Sequence, residues 1–234
     1  MTPELLSQVM EATWPPARTQ RAGPWTIRDG AGGGKRVSAA TADGAWTEAD
    51  LELAEAAMSA QGEPALFLIR DGETVLDAAL AALGYRVVDP VVAYACATAG
   101  LPTPPRMTTF AHWPPLAIAR DLWADGGVGP ERLAVMDRVA GPKTAILARQ
   151  NDHPCGVAFV AVSRDAAMLH ALEISQKFRR QGSAHHIMLA AAQWARDQGV
   201  GTLSLVVTAA NAPARALYAS LGMRAVGHYH YRQK

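Results

Sequence analysis

Leu169-His170-Ala171-Leu172-Glu173-Ile174-Ser175-Gln176-Lys177-Phe178-Arg179-Arg180-Gln181-Gly182-Ser183-Ala184 is the stretch on which the reading of this chain turns. Residues 169 to 174 are a short apolar run interrupted by His170 and Glu173, long enough for a strand. A tight turn of small residues, Gln181-Gly182-Ser183-Ala184, follows two arginines and opens a helical pattern from His185 to Gln198. Such a turn points several free backbone N–H groups at one place, on the positive end of the helix dipole. That arrangement suits a pyrophosphate.

The spacing Arg179-x-x-Gly182-x-Ala184 resembles the Gln/Arg-x-x-Gly-x-Gly/Ala loop with which the GCN5-related N-acetyltransferase (GNAT) family grips the pyrophosphate of acetyl-CoA. The resemblance continues downstream. Residues 200 to 207 look like the family's next strand, and Asn211-x-x-Ala214-x-x-Leu217-Tyr218-x-x-Leu221-Gly222-Met223 resembles its Asn-x-x-Ala-x-x-Leu-Tyr-x-x-Leu-Gly-Phe helix. His228-Tyr229-His230-Tyr231 resembles its closing strand. Residues 107 to 234 read as strand, two helices, three strands, helix, strand, helix, strand, the family's order.

The half before this region shows a related pattern. Leu83-Gly84-Tyr85-Arg86-x-Val88 lines up with Leu221-Gly222-Met223-Arg224-x-Val226 at an offset of 138 residues, and Leu66-Phe67-Leu68 falls on Ser204-Leu205-Val206. The expected fold is therefore α/β: two tandem GNAT-like mixed-sheet domains, the N-terminal one degenerate. At that offset Glu73 replaces Asn211, Leu80 replaces Tyr218, and Gly44 stands at the place of Gly182 without the motif around it. The expected division is 1–100, a Pro-rich linker at 101–106 and an acetyltransferase domain at 107–234. Asp29-Gly30-Ala31-Gly32-Gly33-Gly34 fails as a P-loop, because Arg36 follows Lys35 where Ser or Thr is needed, and reads as a hairpin connection between strands at 25–28 and 35–40.

Composition narrows the function classes. The 234 residues are half hydrophobic with a formal net charge of +1, enough for real cores and no footprint for nucleic acid. Cys96 and Cys155 lie far apart, outside any zinc or disulfide spacing, which fits a reducing cytoplasm. No basic leader precedes an apolar stretch, and no uncharged run approaches the roughly 20 residues that span a bilayer, so a cytoplasmic protein without membrane contact is expected. His185-His186 and the His228/His230 pair lack acidic or cysteine partners at a recognised spacing, so no metal is expected.

The resemblance implies an acetyl-CoA-dependent N-acetyltransferase that passes acetyl directly from the CoA thioester to an amine. Leu172, Ile174 and Gln176 would hold the pantetheine and face the thioester through backbone. Gln181, Gly182, Ser183 and Ala184 would hold the pyrophosphate through their N–H groups. Arg179 and Arg180 would add charge, or be simple solvated bases, and Asn211 would cap its helix and touch the cofactor. Glu173, a carboxylate in an apolar strand opposite Leu172 and Ile174, is the first choice of general base. His170, a water relay, or an ordinary half-exposed strand glutamate remain open for that position. Tyr218 resembles the family tyrosine that protonates the CoA sulfur, with a core aromatic as the alternative. The acceptor is a small-molecule or peptide amine. A non-catalytic acyl-CoA-binding or regulatory module is the competing reading, and a purely structural pseudo-dimer a third. A monomer is favoured over a homodimer, because tandem halves can satisfy their sheet pairing internally.

Overall fold

A computed structural model describes residues 1–234. The helices are α1 (Pro3–Thr13), α2 (Lys35–Ser38), α3 (Glu48–Ala60), α4 (Thr74–Ala82), α5 (Ala117–Asp125), α6 (Pro130–Arg138), α7 (Ser183–Asp197) and α8 (Ala212–Ser220). The strands are β1 (Arg18–Ala22), β2 (Trp25–Asp29), β3 (Thr41–Ala42), β4 (Leu66–Arg70), β5 (Arg86–Ala97), β6 (Thr109–His112), β7 (Lys143–Gln150), β8 (His153–Ser163), β9 (Ala166–Ile174), β10 (Thr202–Thr208) and β11 (Arg224–Gln233). β1, β2 and β3 form a small antiparallel sheet. The other eight strands form one sheet in the order β4-β11-β5-β10-β9-β8-β7-β6.

That order shows how the two halves of the chain are joined. At the 138-residue offset α4 falls on α8 residue for residue, β4 on β10 and β5 on β11. In the run β4-β11-β5-β10 each closing strand has left its own half: β11 pairs with β4, and β5 pairs with β10. The two exchanged strands pair antiparallel with each other at the centre, about a local two-fold relation. Strands from before and after residues 101–106 thus interleave in one sheet, and Leu101, expected in a linker, is buried in the core under α7.

The exchange makes each half the edge partner of the other. Without β5, β10 would present its whole ladder from Thr202 to Thr208 as an open edge, and Val92 and Tyr94 would leave the core under α7 and α8. Open, apolar edges aggregate. Residues 107–234 expressed alone are therefore expected to be insoluble or unfolded, and co-expression with residues 1–106 to restore a soluble complex. A well-dispersed NMR spectrum from 107–234 alone would overturn this account.

Both faces of the large sheet are covered. On one, α7 and α8 pack through Ile187, Met188, Ala191, Tyr218 and Leu221 over Leu169, Leu203 and Leu205. On the other, α5 and α6 pack Trp123, Val135 and Met136 over Val157 and Phe159, and α1 lays Leu6, Val9 and Met10 against Leu68, Met168, Tyr229 and Tyr231. Trp123 is fully enclosed, while Trp113 and Trp194 sit only partly buried at the edges of their clusters.

One expected element differs. Residues 35 to 38 form the single-turn helix α2 rather than a strand, with Ala39 N–H bonded to the Lys35 carbonyl and Val37 wholly buried beside Trp14. The Gly-rich run leads into this turn with Gly34 at φ +100°, a conformation a hairpin strand does not need. Residues 18 to 22, which carry no alternation to betray them, supply the partner strand of β2 instead.

Candidate functional site

β9 and β10 run parallel and stay paired only as far as Leu169 and Leu205. β9 then continues to Ile174 without a β10 partner, so the strands splay and open one backbone edge of residues 170 to 174. A bulge sits in the splay. Val157 faces Glu173 and Phe159 faces His170, leaving Ala171 and Leu172 together opposite Ala158. Ala171 has φ +48°, and its carbonyl accepts the indole N–H of Trp123 at 2.8 Å. The extra residue breaks the alternation: Leu172 and Ile174 pack toward α7, while His170, Ala171 and Glu173 share the α5–α6 face.

The end of β9 feeds the loop. Ser175 N–H bonds the Cys155 carbonyl, one 3₁₀ turn covers Gln176–Phe178, and Arg179 Nε bonds the Ile174 carbonyl at 3.0 Å. Arg180 and Gly182 both take positive φ, and α7 starts at Ser183. Six consecutive N–H groups, from Arg180 to His185, bond no backbone carbonyl. An added Cβ on Gly182 would meet nothing within 4 Å, so the space beside that residue is open. The side chains around them brace the loop. Ser183 Oγ and Gln181 Oε1 both bond the Gln150 amide at 2.8 Å, Gln181 Nε2 bonds the Lys177 carbonyl, and the Cys155 thiol reaches Ser183. Gln150 and Cys155, on β7 and β8, were not singled out by sequence because their role is visible only across strands.

The corresponding helix start in the first half is closed. The Asp50 carboxylate accepts the Thr47 N–H and hydroxyl at 2.8 and 2.7 Å, so an internal anion occupies the end of α3. Glu73, at the place of Asn211, is held by Arg70, and Leu80, at the place of Tyr218, is wholly buried.

Glu173 lies against the backbone of Gly126, where an added Cβ would come within 2.7 Å of its side chain. Burial holds its carboxyl above the ordinary value of 4.5, outweighing the opposite pull of Arg179 and Arg132. A carboxyl whose pKa is higher folded than unfolded favours folding at low pH, and that contribution is lost as pH rises from about 4.5 through the raised value. Glu173→Gln is accordingly expected to melt at a higher temperature than the wild type at pH 7, the difference closing below pH 4.5. An equal difference at both pH values would assign the effect to packing instead of charge.

His170 is built into a different set of contacts. Thr13 Oγ1 donates to the Val9 carbonyl at 2.6 Å and accepts the His170 Nε2–H at 2.9 Å, while Nδ1 accepts from Arg36 at 3.0 Å. The ring stacks on Trp14, with centroids 4.9 Å apart. Burial, followed by the Arg36 charge, pushes its pKa well below the usual range, and both nitrogens are spoken for. It has no lone pair left to take a proton from an incoming amine.

Tyr218 packs in the α7–α8 core with its ring tilted against Tyr94 at 5.8 Å, and burial pushes its phenol up to about 12. Asn211 caps α8, its side chain accepting the Ala214 N–H at 3.2 Å, and is otherwise exposed. Gln176 is exposed at the rim. The four histidines considered for a metal are dispersed: His230 bonds Asp77 at 2.7 Å and His228 lies by Asp71, while His185 and His186 are on α7.

Beside the splay is a cleft of 290 Å³, walled by Trp14, Arg36, Arg132, His170, Tyr229 and Tyr231 and reaching Val206 to Thr208 on β10. A larger cleft of 480 Å³ lies on the N-terminal side, with Trp14, Arg36 and Tyr229 as the common wall. None of Trp14, Arg36 and Arg132 is marked by the motif, since the first two come from far upstream.

A splayed parallel strand pair, a bulge and a loop of unbonded amides at a helix start are the features that the chain brings together here. Residues 110–223 match the model of the acetyltransferase (GNAT) family. The chain is 24% identical over 242 residues to the protein named "Uncharacterized N-acetyltransferase YobR" from Bacillus subtilis, covering 98% of this chain and 97% of that one. It is 30% identical over 119 residues to the aminoglycoside N(6')-acetyltransferase type 1 of Serratia marcescens, covering 46% of this chain and 81% of that protein. In fold it resembles a GCN5-related N-acetyltransferase from Kribbella flavida (TM-score 0.75, 17% identity, 98% and 94% of the two chains). It also resembles a tandem GNAT protein from the clavulanic acid biosynthesis pathway (TM-score 0.66, 13% identity, 98% and 87%). The chain belongs to the GNAT family and is an N-acetyltransferase, an enzyme of acyl transfer to amines. No helix is long and apolar enough to cross a membrane.

Proposed function

We propose that this chain transfers acetyl from acetyl-CoA directly to an amine, at the splay between β9 and β10. The observation that carries the reading is the row of six unbonded amides from Arg180 to His185, with open space beside Gly182, at the start of a 15-residue helix. Diphosphate is the group such a row and such a dipole suit. The free edge of Leu172 to Ile174 would carry the pantetheine and polarise the carbonyl, and Gln176, Arg179, Arg180 and Asn211 would border the cofactor. When bound, acetyl-CoA supplies the activated acyl group; the chain supplies position and proton transfer.

Glu173 is the group we assign as general base. It lies on the acceptor face, its raised pKa moves it toward the range in which a carboxyl accepts a proton from an ammonium, and the fully bonded His170 leaves it without a competitor on the strand. The Tyr218 hydroxyl would donate a hydrogen bond to the sulfur as charge develops there. The N-terminal half, its helix start filled by Asp50, would buttress the second and wall the acceptor cleft. Free cysteines and a sheet completed within one chain favour a cytoplasmic monomer.

The test is calorimetric titration of acetyl-CoA followed by a screen for amine-dependent CoA release. Binding with release supports the enzyme. Binding without release from any amine would leave the acyl-CoA-binding module, and no binding would sink the cofactor assignment.

A further inference from the structure

We infer that the acceptor amine carries an anionic group, a carboxylate or a phosphate, which Arg36 binds from the wall between the two clefts. This rests on the acetyl-transfer reading above and names the acceptor class of that same site.

The partners that Arg36 has in the protein are neutral. One guanidinium nitrogen donates to His170 Nδ1 at 3.0 Å, the guanidinium lies 6.0 Å over the Trp14 ring, and the phenols of Tyr229 and Tyr231 pack beside it. His170 is held neutral, and burial pushes the Tyr231 phenol well above its usual range, so neither neutralises the arginine. The charged groups acting on Arg36 include no carboxylate, and its Nε–H is closed off from solvent without a partner. A guanidinium withdrawn from water without a counterion is costly, and it stays charged at any physiological pH. Two other enclosed arginines have carboxylate partners, while Arg138 and Arg196 bond backbone carbonyls. Arg28, buried more deeply than Arg36, is bonded through Nε to Glu11 at 3.0 Å, and Arg232 to Asp77 at 2.6 Å.

The smaller cleft shares the bias, whereas the larger one carries Glu4, Glu11, Asp43, Asp71 and Glu73 and is the less suited to an anion. The lining of the smaller cleft holds Lys35, Arg36 and Arg132 against the single carboxylate Asp89, and Asp89 is already paired with Lys35 at 2.8 Å. Arg132, exposed at the start of α6, also acts on the Glu173 carboxylate, which leaves Arg36, enclosed at the back, as the cation without an anion. The enclosed one lies beside His170, the residue at which β9 leaves β10. An amine directed to the splay with an anionic tail would place the tail on Arg36, whose planar fork matches carboxylate and phosphate alike. A polycation such as the aminoglycosides named for the Serratia relative would meet like charge here.

Matched acceptors test this. CoA release is measured with L-leucine against 3-methylbutylamine, L-phenylalanine against 2-phenylethylamine, and O-phosphoethanolamine against ethanolamine, using wild type, Arg36→Gln and Arg36→Lys. At least one anionic member is expected to exceed its neutral partner in kcat/KM by about 10- to 100-fold, the range of one charge-assisted contact. The pair that shows the preference identifies carboxylate or phosphate as the tail. Arg36→Gln is expected to bring the ratio near one through KM, Arg36→Lys to recover part of it, and acetyl-CoA affinity to stay unchanged. Thermal melts separate a functional from a structural arginine: Arg36→Gln is expected to melt close to wild type, since the desolvated charge it removes offsets the contacts with His170, Trp14, Tyr229 and Tyr231 that it loses. A lower melting temperature with an unchanged acceptor ratio, or equal use of both members of every pair, overturns the inference. If acetyl transfer itself fails, calorimetry of the same compounds against wild type and Arg36→Gln still decides it: anion binding lost in the variant supports it, and no binding refutes it.

Discussion

Gly182→Glu is expected to abolish measurable acetyl-CoA binding, weakening it by about 100-fold or more, roughly 3 kcal/mol. Two effects combine. Gly182 sits at φ +90°, where an L-residue costs about 1–2 kcal/mol. The new carboxylate would also project into the open space beside Gly182, competing for the Arg180 to His185 amides as Asp50 does at the start of α3. Because nothing lies within 4 Å of the added Cβ, the protein itself has room, and the fold should survive with a small loss of melting temperature. Gly182→Ala separates the contributions, carrying the strain without the charge, and should keep most of the affinity. Calorimetry at one salt concentration reads both variants. Undiminished binding in Gly182→Glu would move the pyrophosphate away from this loop.

Tyr218→Phe is expected to lower kcat by about 100- to 10,000-fold with little change in KM for acetyl-CoA. The substitution removes one oxygen from a ring that otherwise keeps its contacts with Tyr94 and the α7–α8 core, so melting temperature should hardly move. A phenol pushed up to about 12 remains protonated throughout the working pH range. It is well suited to donate a hydrogen bond to developing charge and poorly suited to give its proton away completely, so the expected loss is electrostatic stabilisation at the transition state. For the same reason no basic limb from Tyr218 should appear in the pH–rate profile below about pH 10. A variant that releases CoA at the wild-type rate would reduce Tyr218 to a core aromatic.

Much of the chain was legible because its signals are local. The Gly182 turn, the Asn211 cap and the apolar periods of α3, α7 and α8 each depend on neighbours within a few residues. The 138-residue repeat needed only matched Leu-Gly punctuation, and α4 and α8 coincide at that offset. The strand expected at 35–40 failed because Gly34 and the enclosed contacts of Val37 set a helical turn there, a tertiary override of propensity. The first copy's missing motif was also readable, and so was the Asp50 carboxylate three residues after the Thr47 cap.

The sequence by itself determined the family's order of elements, the open loop before α7 and the carboxylate on β9, since spacing and backbone preference are properties of contiguous residues. Only the tertiary structure decided the rest. The exchange of β5 and β11 depends on which edge each finds, and edges exist only once sheets form. The β9 bulge placed His170 on the face of Glu173, which strict alternation forbids. Arg36 met His170 across 134 residues, and that meeting placed a residue with no motif on the wall of the cleft beside the splay.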